Sequence, residues 1–557
     1  MESKTLHTQL EPSGRPARPL RARRGWFAES DRVPLGSQDP PWVERALWMF
    51  VALGLVLRAA RYAQNLPLWS DECFLAVNFI QRGFVDLLQP LDNGQICPLL
   101  FLWVERAAVM LLGFSEFSLR LFPLVCGLAG MFVFERLARM MLRGVPLLLA
   151  VGIFAVSVHP IRHAAEAKPY ASDLFVSLLL TTAAAAWLRE RDRSRWLWVL
   201  LALSPPCLGL SNPAVFVAGG LLIGLAWPVW RSERWADRLA LACCAIMLGG
   251  LFLTFHIGFG GIQSAGAMDG LQRYWSSDFP PLEDPLKLPG WLLAACSGSM
   301  LAHPGGGDEG ASAATLLAVV VGVVVLIRGG RGPLVACLLA PLGLNLIAAT
   351  LERYPFGGEA RLAQYAAPAI CLLAGAGAAA VLGLVRSEGR RRRALVGMLG
   401  ALVVCGVVPQ IVSWRTPYRM VHDQEARAFA RRFWPKLERG AEVACAHLDF
   451  HIDGSGGWQG RRAWHLCNEA IYSPQRRAHG GPRFDLVSAD RPLRCVVFDE
   501  DPNGPIVSGW LARMRTDYQL RSVETITIPA TVGPDDAKRA ENARIYEFIP
   551  AGGRAEN

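Results

Sequence analysis

Pro98-Leu99-Leu100-Phe101-Leu102-Trp103-Val104-Glu105-Arg106-Ala107-Ala108-Val109-Met110-Leu111-Leu112-Gly113 is the run on whose reading the architecture turns. It is apolar, yet shorter than the roughly 20 residues an α-helix needs to cross the hydrocarbon of a bilayer. Glu105 and Arg106 stand at its middle. A charged pair at the bilayer centre costs on the order of several kcal/mol, so the run reads as a helix lying along the outer membrane surface.

Further apolar stretches surround it, near 43–61, 117–140, 144–159, 171–188, 196–211, 213–230, 238–257, 313–328, 334–351, 364–386 and 393–413. These make about eleven spans of a polytopic α-helical membrane protein. If 98–113 does not cross, the basic loops Arg139-Met140-Met141-Leu142-Arg143, Arg189 to Arg195, Arg231 to Arg238, Arg328 to Arg331 and Arg386 to Arg393 share one side with the basic N-terminus. If it does cross, the tail and those loops fall on opposite faces, against the tendency of Lys and Arg to stay cytoplasmic. The first arrangement puts loops 62–116, 160–170, 258–312 and 352–363 together on the extracytoplasmic face, where the chemistry is expected.

Composition agrees with the bilayer as main solvent: 52% of the 557 residues are hydrophobic and mean hydropathy is +0.27. The net charge of +10 is dispersed in short clusters between apolar stretches, which excludes a nucleic-acid groove. Of the thirteen cysteines, Cys126, Cys207, Cys243, Cys244, Cys337, Cys371 and Cys405 lie inside apolar runs and behave as small hydrophobes. No paired CxxC spacing marks zinc or a redox dithiol. Residues 1–40, rich in Arg, Pro, Ser and Gly, read as a disordered cytoplasmic tail, and the first apolar segment as a signal anchor. After 414 the chain mixes charges with short β-rich runs (442–446, 493–498, 522–528, 544–548) and helix-like segments (422–438, 508–518), as expected of an extracytoplasmic α/β domain over 415–557.

The sharpest local feature is Pro67-Leu68-Trp69-Ser70-Asp71-Glu72, directly after the first span. Paired carboxylates at a membrane surface serve as a general base for an acceptor hydroxyl, as metal ligands, or as solvated charge with no chemical role. The loop continues Cys73-Phe74-Leu75-Ala76-Val77-Asn78, then Asp92-Asn93-Gly94-Gln95-Ile96-Cys97-Pro98-Leu99-Leu100, then Gly113-Phe114-Ser115-Glu116-Phe117-Ser118-Leu119-Arg120-Leu121-Phe122-Pro123. This order resembles the first outer loop of the GT-C glycosyltransferases, in the protein O-mannosyltransferase and aminoarabinose transferase branch. There an Asp-Glu pair follows the first span, and a Gly-Phe-x-x-Glu-x-x-x-Arg-Leu-x-Pro element leads into the next.

The second outer loop, His159-Pro160-Ile161-Arg162-His163-Ala164-Ala165-Glu166-Ala167-Lys168-Pro169-Tyr170-Ala171, is similar to the Glu-x-Arg-Pro-Tyr-Ala element of that superfamily, with Lys168 where Arg is usual. Lysine keeps the charge and loses the bidentate fork. A second departure is Ile96-Cys97-Pro98, where many relatives carry His-Pro-Pro. A third element, Glu352-Arg353-Tyr354-Pro355-Phe356-Gly357-Gly358-Glu359-Ala360-Arg361, resembles Tyr-Pro-Phe-Gly-Gly-x-Arg segments of bacterial members. Tyr and Arg here serve equally well as interfacial anchors or as grips on a lipid phosphate.

The resemblance implies a GT-C bundle over 41–414, a polyprenyl-phosphate sugar donor, a lipid, glycan or protein acceptor, and inversion at the anomeric carbon. It makes Asp71 the candidate base, with Glu72 positioning it or sharing a divalent cation such as Mg or Mn. Lys168, Arg353 and Arg361 are candidates for the donor phosphate; Arg58 and Arg120, which flank the same surface, are candidates there or snorkelling side chains. Glu166, Tyr170 and Tyr354 are expected to line the substrate. Two rivals remain. A transporter or flippase of lipid-linked sugars would carry ionisable residues near the midplane, which spans such as 313–328 lack. A non-catalytic lipid-sugar-binding relative fits the departures at Lys168 and Ile96-Cys97. In the outer segment, His447-Leu448-Asp449-Phe450-His451-Ile452-Asp453 is either a loop edge or a metal site, and Cys445, Cys467 and Cys495 leave room for one disulfide.

Overall fold

The computed structural model describes residues 39–415 except 192, 265–266 and 308–309, and further on 427–436 except 429, 442–447, 457–473, 493–499, 505–528 and 541–551. The expected tail over residues 1–38, and residues 448–453 of the His447–Asp453 run, lie outside the described residues.

Each apolar stretch picked out above is helical, because a chain that buries its backbone in lipid must satisfy every N–H and C=O locally. Helix α1 (Pro41–Ala63) leads to two short surface helices, α2 (Ser70–Ala76) and α3 (Asn78–Gln81), and then to α4 (Leu99–Leu112). There follow α5 (Glu116–Met141), α6 (Gly144–Val156), short α7 (Val158–His163), α8 (Tyr170–Arg189), α9 (Arg195–Leu210), α10 (Ala214–Trp230) and α11 (Trp235–Leu251). The third loop contains α12 (Gly260–Ser264), α13 (Met268–Tyr274) and α14 (Leu288–Ser297). The bundle closes with α15 (Ala313–Arg328), α16 (Gly332–Thr350), α17 (Ala367–Gly383) and α18 (Glu388–Arg415). Among the described residues, six helical segments are long and apolar enough to cross a membrane by length and composition, and α6, α9, α10 and α15 are shorter apolar helices.

Small residues set the helix spacing, as they must where lipid removes the hydrophobic drive for association. A Cβ at Gly224 of α10 would lie 2.6 Å from the backbone nitrogen of Cys337 in α16, and one at Gly375 of α17 would lie 2.5 Å from that of Ala150 in α6. Helices α15 and α17 approach as closely at Gly322 and Gly377. Helix α6, apolar on all sides, is buried almost throughout, so it serves as the post around which α1, α5 and α17 stand.

Helix α4 departs from expectation in one respect. Glu105 and Arg106 do not form an exposed charged pair: Arg106 donates to the Phe79 carbonyl at 3.0 Å, while Glu105 is buried. Burial, reinforced by the nearby charge of Glu72, holds the Glu105 carboxyl well above the usual range.

Beyond α18, helices α19 (Gly457–Tyr472) and α20 (Pro505–Met514) accompany a four-stranded sheet of β1 (Glu442–His447), β2 (Leu493–Asp499), β3 (Tyr518–Ile528) and β4 (Glu541–Pro550). Its order is β1-β2-β4-β3, with β1 and β2 parallel and the other neighbours antiparallel. The register places Cys495 opposite Tyr546, and a bulge at Leu520/Ser522 interrupts the β3–β4 ladder. Cys467 carries a free, buried thiol, which removes it from the proposed disulfide; the side chains of Cys445 and Cys495 lie outside the described residues.

Candidate active site

The site is built on α2. Its N-cap is Trp69, and the carboxylate of Glu72, three residues on, accepts from the Trp69 backbone N–H at 3.3 Å, half of a capping box that fixes where the helix starts. The rest of the Glu72 carboxylate is fully engaged. Arg120 donates to it through Nε at 2.8 Å and Nη2 at 2.5 Å, and the Ala167 N–H donates at 2.7 Å. With side-chain exposures of 5% for Arg120 and 1% for Glu72, this is a buried, bidentate ion pair. Arg120 also donates to the carbonyls of Leu66 at 2.5 Å and Pro67 at 3.1 Å, so one guanidinium ties α5 to the whole strand of chain entering α2.

Asp71 points the other way, into the meeting place of the loops. Lys168 lies 2.9 Å from Oδ1, Arg361 donates to Oδ2 at 2.7 Å, and the Tyr170 hydroxyl donates to Oδ2 at 3.3 Å. Burial disfavours the Asp71 charge, yet the two cations outweigh it and hold the carboxyl below its ordinary value. Lys168 also donates to Gln95 of the first loop at 2.6 Å. Arg361 turns its Nη2 to Glu359 at 2.8 Å, and Glu359 accepts from Tyr274 of the third loop at 2.9 Å. Burial works against the Arg361 charge, and Tyr170, Asp71 and Glu359 override it, so this guanidinium stays cationic. Residues from all four loops therefore join one network around the Asp71 carboxylate, the third loop through Tyr274 on Glu359.

Trp69 forms one wall, with the Arg162 and Arg361 guanidinium carbons 5.8 and 5.6 Å from its ring centre. Behind it, Glu166 accepts from Arg162 at 2.5 Å and from His163 Nδ1 at 2.7 Å. Burial opposes its charge, but Arg162 and His163 hold the Glu166 carboxyl well below the ordinary range. The loop carrying Arg361 turns through Gly357 and Gly358, at φ +86° and +65°. A Cβ at 358 would also meet the Asp278 carboxylate.

Several expected site residues take other positions. Arg58 neither snorkels nor reaches the loops: it is 1% exposed and donates to the carbonyls of Gly54 at 2.9 Å and Ala155 at 3.1 Å, a link between α1 and α6. Arg120 and Glu72 are paired with each other in a buried ion pair. Glu166 is occupied by Arg162 and His163 and supports the wall. Tyr354 gives its hydroxyl to the Leu362 carbonyl at 3.1 Å and packs edge-on to Phe216. The Arg353 side chain is exposed, with its backbone N–H bonded to Ala348 at the end of α16. Among the described residues no three His, Cys, Asp or Glu side chains gather as a metal site. Asp71 and Glu72 are each paired with cationic side chains, Lys168 and Arg361 on the one and Arg120 on the other.

Trp69, Gln95, Arg162, Tyr274 and Glu359 were not singled out from sequence. Trp69, Gln95, Arg162 and Glu359 stood inside the quoted loop elements and Tyr274 did not, but only their contacts distinguish them from ordinary loop residues. Helix α19 was also missed, although Ala463, Cys467 and Ala470 recur at helical spacing and are its buried face.

No family model matches the sequence, and no curated protein matches it. Among solved structures the chain is similar to ArnT from Cupriavidus metallidurans bound to undecaprenyl phosphate, at 14% identity and a TM-score of 0.46, over 89% of this chain and 97% of that one. It is similar to the same protein in the apo state at 12% identity and a TM-score of 0.47, over 90% and 98%. The Archaeoglobus fulgidus oligosaccharyltransferase in the apo form is similar at 10% identity and a TM-score of 0.45, over 76% of this chain and 64% of that chain.

Proposed function

We propose that this chain is an integral membrane glycosyltransferase that moves a sugar from a polyprenyl-phosphate donor to an acceptor on the extracytoplasmic side, with inversion. The observation that carries the reading is a single carboxylate, Asp71, held between Lys168 at 2.9 Å and Arg361 at 2.7 Å where the outer loops meet. Two cations around an anion are also what a phosphate monoester or diester needs. In this reading the donor phosphate takes over Lys168 and Arg361, and the exchange frees Asp71 to act as base. The acceptor O–H or N–H loses its proton to Asp71, its lone pair forms the bond to the anomeric carbon, and the anomeric C–O bond breaks with its electron pair leaving on the polyprenyl phosphate. Lys168 and Arg361 stabilise the departing charge. Glu72, locked to Arg120, holds α2 and thereby the Asp71 backbone, while Tyr170 orients the carboxylate.

The 41–414 segment is the catalytic bundle in this reading, and 415–557 an extracytoplasmic domain attached to it. The test is transfer of a radiolabelled sugar from a polyprenyl phosphate by the full-length protein in lipid nanodiscs, read as labelled product in envelope lipid, glycan and protein fractions. Release of polyprenyl phosphate coupled to acceptor labelling supports the proposal. Movement of the intact lipid-linked sugar across a sealed vesicle without transfer replaces it with the flippase reading.

A further inference from the structure

The segment from Asn65 to Cys73, which delivers Asp71, is held from two directions. One is α5, through Arg120. The other is the chain beyond the last apolar helix. Arg427 donates through Nη1 to the Asn65 carbonyl, at a residue with φ +44° in the left-handed region, and through Nε to the Tyr472 hydroxyl at 2.8 Å. That hydroxyl donates in turn to Glu116 Oε1 at 3.0 Å, and Arg427 Nε itself stands 3.4 Å from the same oxygen. Glu116 is 4% exposed and lies one turn before Arg120 on α5. A few residues earlier on α19, the Cys467 thiol donates to the Cys73 carbonyl at 3.7 Å. Ala463, Cys467 and Ala470 share a buried apolar cluster with Leu68, Cys73, Leu75 and Ala76.

Carbonyls at 65, 66, 67 and 73 are thus all capped by side chains from elsewhere, two of them from the C-terminal segment. A loop that owes its shape to such contacts loses it when they go, because its own backbone makes few bonds. We infer that the C-terminal segment is a working part of the Asp71 site: Arg427 and Tyr472, acting through Asn65 and Glu116, are positioning residues that fix α2 against α5. The consequence is specific. Losing the brace displaces the base relative to Lys168 and Arg361, which sit on other loops, so the rate of the bound complex suffers more than donor binding.

Tyr472→Phe tests this in the full-length protein in nanodiscs, since it removes one hydroxyl and keeps the ring. Amide hydrogen exchange over residues 65–77 should speed up while exchange over 355–365 stays at the wild-type rate. In the transfer assay kcat should fall by about tenfold with donor KM within about twofold. Arg427→Gln should reproduce both effects, and Arg427→Lys should restore part of kcat. Unchanged exchange over 65–77 in both Tyr472→Phe and Arg427→Gln overturns the inference, as does a rise in donor KM with kcat unaltered. The kinetic arm rests on the glycosyl-transfer reading above and the exchange arm does not, so a wild-type protein without transfer activity counts against that reading alone. Should Tyr472→Phe fail to give a monodisperse protein, the two Arg427 variants decide the question by the same measurements.

Discussion

Asp71 and Arg361 stand 290 positions apart in the chain and meet at 2.7 Å, with Lys168 closing the other side of the same carboxylate at 2.9 Å. A base with both oxygens bound to cations is a weak base, while the same cations are a ready phosphate site. The arrangement therefore couples two events that a solvated aspartate would leave independent, and the first prediction follows from that coupling.

Asp71→Asn should lower transfer by roughly 10²- to 10⁴-fold, the usual range for loss of a general base. The same change should tighten binding of undecaprenyl phosphate by about tenfold, because Lys168 and Arg361 no longer have an internal anion to satisfy. Native mass spectrometry of lipid binding in nanodiscs measures the second effect. Weaker binding by the variant would remove the exchange of Asp71 for phosphate.

Arg361 spans Asp71 and Glu359 with separate faces of its guanidinium, a geometry that an ammonium does not reproduce. Arg361→Lys should raise donor KM by about tenfold and Arg361→Ala by more, whereas Lys168→Arg should keep near-native kinetics. Steady-state kinetics over a donor series checks the order of the three variants. Equal behaviour of Lys and Arg at 361 would mean that only charge counts there.

The Glu72–Arg120 pair predicts a stability effect separate from chemistry. Truncating one partner strands a buried charge, so Glu72→Leu should destabilise by about 3–5 kcal/mol. Combining it with Arg120→Met should recover part of that loss, since the stranded charge goes with it. Thermal unfolding of the two single variants and the double variant in the same detergent gives the coupling. Additive losses would show that the pair is not energetically linked.

His303 is 2% exposed, beside Ser157 at 3.2 Å, and burial together with the neighbouring His159 holds its imidazole down at about 3 against an ordinary 6.5. Its folded state stays neutral while the unfolded chain takes up a proton below pH 6.5. Its contribution to stability is therefore complete above pH 6.5 and declines as the pH falls toward about 3, by up to ~1.4 kcal/mol per pH unit. His303→Gln should flatten the acid side of the melting-temperature profile of the full-length protein. A profile with the wild-type slope would assign the acid sensitivity to other groups.

Apolar length and the placement of basic clusters were legible in the chain, and every stretch so marked is helical, because hydrogen-bond closure in lipid leaves a long apolar segment little alternative. Asp71, Lys168 and Arg361 were legible as candidates through short loop elements. What those elements did not carry was the partnership of each side chain. Arg58 and Arg120 look alike at helix ends facing one surface, yet one turns inward to the α6 backbone and the other to Glu72. Glu105 looked like half of a charged pair and is buried, while Arg106 bonds the Phe79 carbonyl instead.

The sequence by itself determined a bundle of apolar helices with an acid pair just past the first of them, because hydrophobic length and local charge are properties of consecutive residues. Only the tertiary structure decided that Asp71 meets Lys168, Tyr170 and Arg361, that Glu72 is spent on Arg120, and that Tyr472 and Arg427 reach back to the same segment. Those pairs join loops tens to hundreds of positions apart. Their meeting depends on how closely the helices beneath them pack, and that spacing is set by side-chain volume at contacts such as Gly224 on Cys337 and Gly375 on Ala150.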